Sequence, residues 1–97
     1  MKSKEIKDIR VNSTIVIEDD TLKNIIYDIL AKSPEEELYL DELSSIREIN
    51  ADYQWYAGDK IEKLNGLEYS ENLIWLDISE HNVSNFEPIK NLRNLNM

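Results

Sequence analysis

Leu73-Ile74-Trp75-Leu76-Asp77-Ile78 is the stretch whose reading decides the fold. Its Leu-x-x-Leu-x-Ile pattern spaces apolar residues first by three and then by two. A helix needs three-and-four spacing and a strand needs strict alternation, so neither period alone accounts for it. The surrounding apolar row nearly repeats itself. Ile61, Leu64, Leu67 and Leu73 are followed, 22 positions on, by Val83, Phe86, Ile89 and Leu95. Apolar spacing that switches within a unit while the unit recurs at a fixed period indicates a solenoid of short strands and turns. Solenoids offer extended binding surfaces and host little chemistry.

Working outward toward the N-terminus, Leu40, Leu43, Ile46 and Ile49 are spaced by threes. That spacing drifts around an α-helix by about 60° per step, which suits a short helix winding down into a solenoid turn. Ile49-Asn50-Ala51 then reads as the centre of a short strand. Ser33-Pro34-Glu35-Glu36 has the form of a capping box with proline at the first helical position, so a second helix could start there. Leu22, Ile25, Ile26, Ile29 and Leu30 form one apolar stripe of an amphipathic helix over about 20–32. Glu18-Asp19-Asp20 supplies its N-cap and first-turn acids, and β-branched Thr14-Ile15-Val16-Ile17 reads as a short strand. Residues 1–13 are a basic leader, either frayed or a short helix.

Aligning Ile46, Ile49 and Ala51 on Leu73, Leu76 and Ile78 takes an offset of 27, against 22 elsewhere. The turn at 52–60 therefore carries about five extra residues, and Tyr53, Trp55 and Tyr56 fall within it.

Ninety-seven residues suit one domain with a modest core. No apolar run approaches the roughly 20 residues that span a bilayer, so no membrane partner is expected. The charged start carries no apolar stretch of a secretory signal. Absence of cysteine removes disulfides, a thiolate nucleophile and the usual zinc sites. Net charge is −9 although Lys2, Lys4, Lys7 and Arg10 crowd the first ten residues, so the remainder is more acidic still. Such a surface repels phosphate backbones and argues against direct nucleic-acid binding; a partner with a basic surface would be steered in.

With these residues in place, the chain resembles the N-terminal part of a bacterial internalin-type leucine-rich repeat protein. Residues 73–95 are similar to its 22-residue repeat: Leu73, Leu76, Ile78, Val83, Phe86, Pro88-Ile89, Leu92 and Leu95. Residues 14–51 resemble the cap preceding the repeats, and Gly66-Leu67-Glu68-Tyr69 with Asn72-Leu73 resembles the cap-to-repeat junction. The expected fold is α/β: a short leucine-rich repeat solenoid with a small parallel sheet and a helical N-terminal cap, the repeat segment covering 52–97. One departure is His81, at a position where the family keeps an asparagine bonded to loop backbone; the preceding turn has Asp59 there. Either the register shifts to Asn82, or the imidazole does part of that bonding.

In such an architecture ladder residues point inward and those between them outward. Trp75, Asp77 and Ser79 would then lie on the exposed strand face, with Glu48, Asn50 and Asp52 beside them. The resemblance implies that this concave face binds a protein partner. Trp75 in an acidic strip has the chemistry of a hot spot, weighed against lying flat under a neighbour. Tyr53, Trp55 and Tyr56 either join the recognition surface or plug the gap between cap and repeats. Catalysis has little support. His81 is the one histidine, and no serine has a second histidine to draw on. No cofactor is implied. Asp19-Asp20 and Glu35-Glu36-Glu37 lack the spacing of a calcium loop and read better as capping residues.

A second reading is an acidic inhibitor that blocks the basic channel of a nucleic-acid enzyme by phosphate mimicry through Glu35, Glu36, Glu37, Asp41 and Glu42. Without further repeats, Phe86, Ile89, Leu92 and Leu95 would form an uncapped C-terminal end favouring a homodimer. Taken as written the chain stays in the cytoplasm; as a piece of a longer exported protein it would stand at the cell surface.

Overall fold

The computed structural model describes residues 13–55 and 58–96, with the Trp55 side chain left aside; the basic leader, save Ser13, and Tyr56 lie outside the described residues. Helix α1 spans Asp20–Leu30, α2 spans Leu40–Ser44, and strands β1 (Glu48–Asn50) and β2 (Trp75–Asp77) form a parallel pair. Short 3-10 turns occupy Tyr53–Trp55, Leu67–Tyr69 and Glu87–Ile89. This is the solenoid of short strands and turns expected from the 73–78 pattern, with the α/β make-up that the resemblance implied.

Helix α1 forms where the stripe places it. Asp19, in extended backbone, accepts a bond from the Leu22 N–H (3.1 Å), closing one of the orphan donors of the first turn. The helix ends on Ala31 in the left-handed region at φ 56°, with the Lys32 N–H returning to Tyr27 O. Leu22, Ile25 and Ile26 are buried, whereas Ile29, on the same stripe, stays 44% exposed in the last turn. Its place in the core is taken by Tyr27, whose hydroxyl donates to Glu36 O at 2.8 Å and whose ring lies 5.1 Å from Lys23 Nζ.

The Ser33–Glu36 pair makes only half of a capping box and starts no helix: the Glu36 N–H goes to Ser33 O (3.0 Å) and not to the hydroxyl. Glu36 Oε2 accepts from Ser33 N (2.7 Å) and Oγ (2.9 Å), closing a turn. The chain then runs extended so that Tyr39 can bridge Thr14 in antiparallel sense. Helix α2 starts at Leu40 instead, where Glu42 Oε1 reaches back to the Tyr39 N–H at 3.0 Å. Because α2 begins there, the partner of the Thr14–Ile17 segment runs out after one bridge, and no full strand forms at 14–17.

Leu43, Ile46 and Ile49 are buried in succession as α2 passes through a turn into β1, in keeping with the spacing by threes. Ile49 and Leu76 pair side by side, and the ladder beneath includes Ile61, Leu64, Leu67 and Leu73, each fully buried. Full burial of such side chains contributes about 1.5–3 kcal/mol each. Gly66, at φ 109°, joins cap to repeat where no side chain fits: a Cβ would stand 2.5 Å from Ile17 Cδ1 and 2.9 Å from Val16 O. Asp19 fastens the same junction, its Oδ2 accepting from Glu62 N (2.8 Å) and Lys63 N (3.2 Å).

The repeat changes at its far end. Asn96 pairs with Trp75 in parallel, one residue short of the 22-residue step that relates Leu73 to Leu95. Phe86, on the inward ladder by spacing, is 45% exposed, and Val83, Leu92 and Leu95 are only partly buried, while Ile89 is buried. Of the end residues expected to stand uncovered, Phe86 is exposed and Leu92 and Leu95 are partly so, whereas Ile89 is buried against the ladder, and the expectation is corrected there. No helix of the described residues is long and apolar enough to cross a membrane.

Candidate functional site

The register of the sheet fixes the outward strip. Glu48 lies beside Trp75 and Asn50 beside Asp77, all four standing away from the buried Ile49–Leu76 pair. The Tyr53 N–H donates to Ser79 O (3.0 Å), which brings Asp52 and Ser79 to the same end of the strip. Trp75 is 40% exposed and so stands out from its neighbours.

The acids of the strip are held unequally. Asp77 Oδ1 accepts from the Ser79 hydroxyl (2.6 Å) and the Ser79 N–H (3.0 Å), and these bonds, the hydroxyl first, hold its carboxyl below the usual carboxylate range. Asp52 is similarly folded back, accepting from Gln54 N (3.1 Å) and Gln54 Nε2 (3.2 Å). Glu48 and Asn50 are exposed. The strip is thus ionised at Asp77 with its geometry set by local turns.

Tyr53 is placed differently. Its hydroxyl donates to Gly58 O (2.6 Å), its ring meets the His81 imidazole edge-on at 5.3 Å, and Lys60 Nζ lies 5.0 Å from the ring centroid. It braces the inserted turn. Trp55 lies in the 3-10 turn by its backbone.

His81 resolves the departure from the asparagine pattern. Its Nδ1 accepts from the Ile61 N–H at 2.8 Å, and its Nε2 lies 2.6 Å from Ala51 O. A carbonyl only accepts, so Nε2 carries the proton and the ring is the neutral Nε2–H tautomer. The imidazole therefore ties the backbone of two turns together, as a loop-bonding amide would. Sequence reasoning allowed this but missed its consequence for Tyr53.

It also missed a groove of about 370 Å³ beside the strip, where Trp75, Ile78, Val83 and Phe86 meet. Elsewhere the acids of the cap are engaged inward: Lys32 Nζ holds Glu42 Oε2 at 3.0 Å and Glu36 lies on Ser33, leaving Glu35, Glu37 and Asp41 exposed. Among the described residues no group of three or more His, Asp or Glu side chains is gathered as a metal site.

Cap, junction, parallel strands and loop-bonding side chain together define a capped leucine-rich repeat structure of the internalin type. The solved structures agree. Internalin InlF of Listeria monocytogenes superposes with a TM-score of 0.72 at 27% identity, over 82% of this chain and 22% of that one. The CBM51-2 and INT domains of Clostridium perfringens ZmpB, solved with GlcNAc, give 0.76 at 27% identity, over 97% of this chain and 19% of theirs. Internalin C2 of Listeria monocytogenes gives 0.70 at 23% identity, over 79% and 32%. The chain thus spans a third or less of each of these structures. The sequence matches no protein-family model and no curated protein.

Proposed function

We propose that this chain is a protein-recognition module whose sheet face, centred on Trp75, grips a partner with a basic surface. The observation that carries the reading is the placement of Trp75: 40% exposed on the outward strip, beside Glu48 and two residues from ionised Asp77. A large aromatic anchor amid polar groups is the usual make-up of an interface hot spot. Asp52, Asn50 and Ser79 extend the strip, and negative charge there steers a cationic partner into encounter. The likeness to two internalins supports recognition over chemistry. Tyr53 contributes by bracing the loop that carries Trp55 and Tyr56.

The test is capture of partners from bacterial lysate, read by mass spectrometry, with the wild type and a Trp75→Ala variant confirmed folded by circular dichroism. One protein held by the wild type should lose about 2 kcal/mol or more of affinity with the variant. Equal affinity for the two folded proteins removes Trp75 from the site.

A further inference from the structure

We propose that the sheet face holds its partner through an arginine side chain, the guanidinium laid on the Trp75 indole and forked on the Glu48 carboxylate. The inference rests on the protein-recognition reading and names the residue by which the partner is held.

The register builds the seat. Trp75 pairs with Glu48 on one side and with Asn96 on the other, so the indole stands inside a row of three. Asp77 follows two residues along β2, on the same face. Adjacent strands lie about 4.8 Å apart and alternate residues of a strand about 6.6 Å apart, so the backbones of Glu48 and Asp77 stand roughly 8 Å from each other across the indole.

Each group of the seat has capacity left. Glu48 is exposed, and its carboxylate bonds to no other described residue. Asp77 uses Oδ1 for both Ser79 bonds and keeps Oδ2 unbonded. The Trp75 ring, 40% exposed, meets no aromatic ring and no cation of the described residues. Arg47, the nearest cation along the chain, precedes β1 and forms no ion pair among the described residues.

A second seat in the same molecule shows what this combination takes. In the cap, Lys32 Nζ lies 6.0 Å and 5.8 Å from the Tyr27 and Tyr39 ring centroids and 3.0 Å from Glu42 Oε2. There the chain brings ring, carboxylate and cation together from its own residues. At Trp75 it brings the ring and the carboxylate, and no described side chain supplies the cation. The two seats differ in shape. The Lys32 side chain is 8% exposed, a closed site that suits a compact ammonium. The Trp75 seat is open and flat, which suits a planar, weakly hydrated guanidinium that stacks on an indole while its fork meets two carboxylate oxygens.

The experiment uses the full chain, 15N-labelled, titrated at low ionic strength with acetyl-Gly-Arg-Gly-amide and with its lysine and citrulline analogues, and read at the Trp75 indole N–H. The expected result is a saturable indole shift, with the arginine peptide bound about 5-fold or more tighter than the lysine peptide and no saturation by neutral citrulline. Glu48→Gln, at an exposed position, should weaken the arginine peptide about 5-fold and bring it within about 2-fold of the lysine peptide. Glu37→Gln removes the same charge from the cap and should leave the indole response within about 2-fold of the wild type. The proposal is overturned if the arginine and lysine peptides bind the wild type alike, or if Glu48→Gln leaves the preference unchanged. Either result, with Trp75→Ala still losing a captured partner, leaves the protein-recognition reading standing. An unmoved indole, with shifts confined to the amides of Glu35, Glu37 and Asp41, gives the cation to the cap and overturns the seat at Trp75.

Discussion

The two ends of this molecule are built from the same apolar alphabet and finish differently. At the cap end, Leu22, Ile26, Leu38 and Leu43 are sealed beneath α1 and α2. At the other end, Val83, Phe86, Leu92 and Leu95 carry the same ladder spacing and remain partly or half exposed. The difference lies in what stacks on each rung. A solenoid rung is buried only by its neighbours, so identical residues are core in one place and surface in another. The cap also closes its backbone, through Asp19 and the Glu42–Tyr39 bond. Stability is thus concentrated at the cap end and in the central rungs, and the least covered apolar side chains lie at the far end.

Truncation sharpens this contrast most. Leu76 is 1% exposed and packs between both turns of the solenoid, so Leu76→Ala should cost about 3 kcal/mol in urea unfolding. Phe86→Ala, at the open end, should cost about 1 kcal/mol or less, because half its surface is already in water. Equal costs for the two would show that something covers Phe86 in solution, and the division into closed and open ends would fail.

The next largest effect is expected at His81, which ties the open-end repeat to the turn before it. His81→Ala strands the Ile61 N–H and the Ala51 carbonyl together, at about 2 kcal/mol. His81→Asn can replace both bonds with an amide and should cost distinctly less, about 1 kcal/mol. Imidazole 15N shifts should report the Nε2–H tautomer in the wild type. The same substitution to alanine should free the Tyr53 ring, visible as a change in its ring-proton shifts. If asparagine and alanine are equally damaging, the ring acts by packing against Tyr53 rather than by bonding.

Much of this was legible in the sequence because local pattern and fold agree there. The 73–78 switch of spacing, the α1 stripe and the drift of Leu40, Leu43, Ile46 and Ile49 each report burial that neighbouring chain enforces. The start of α2 was not legible, because Glu36 reaches back to the Ser33 N–H in a turn as it would at a helix start, while Thr14 pairs with Tyr39 and keeps the chain extended up to Leu40. Ile89 was misplaced among the uncovered residues because spacing alone does not tell which rungs the preceding turn covers. In the candidate site, Trp75, Asp77, Glu48 and Asn50 came together through strict alternation in two paired strands. Tyr53 turned inward because of His81, a contact 28 positions away in sequence that no local pattern encodes.

Acid separates the closed junction from the rest by the smallest effect. Burial acts to raise the Asp19 carboxyl, but bonds from the Glu62, Leu22, Lys63 and Thr21 backbone N–H groups outweigh it and hold the group below its ordinary value of 3.8. A depressed folded value means that the unfolded chain binds the proton more readily. The stabilisation is therefore fully present above about pH 5, where both states are ionised, and is lost as pH falls through 3.8 toward the folded value. Asp77 and Glu36, also held low by bonds from Ser79 and Ser33, add to the same slope from the far end and the cap turn. Asp19→Asn should lower stability at pH 7 by about 1 kcal/mol, since its amide turns a donor toward N–H groups that need an acceptor. It should also flatten the acid limb between pH 5 and 3 more than Asp77→Asn does, because Asp19 joins α1 to the first turn while Asp77 bonds only within its own strand end. Equal flattening by the two substitutions would place the acid-sensitive contacts in both ends alike and remove the junction's special part in closing the cap.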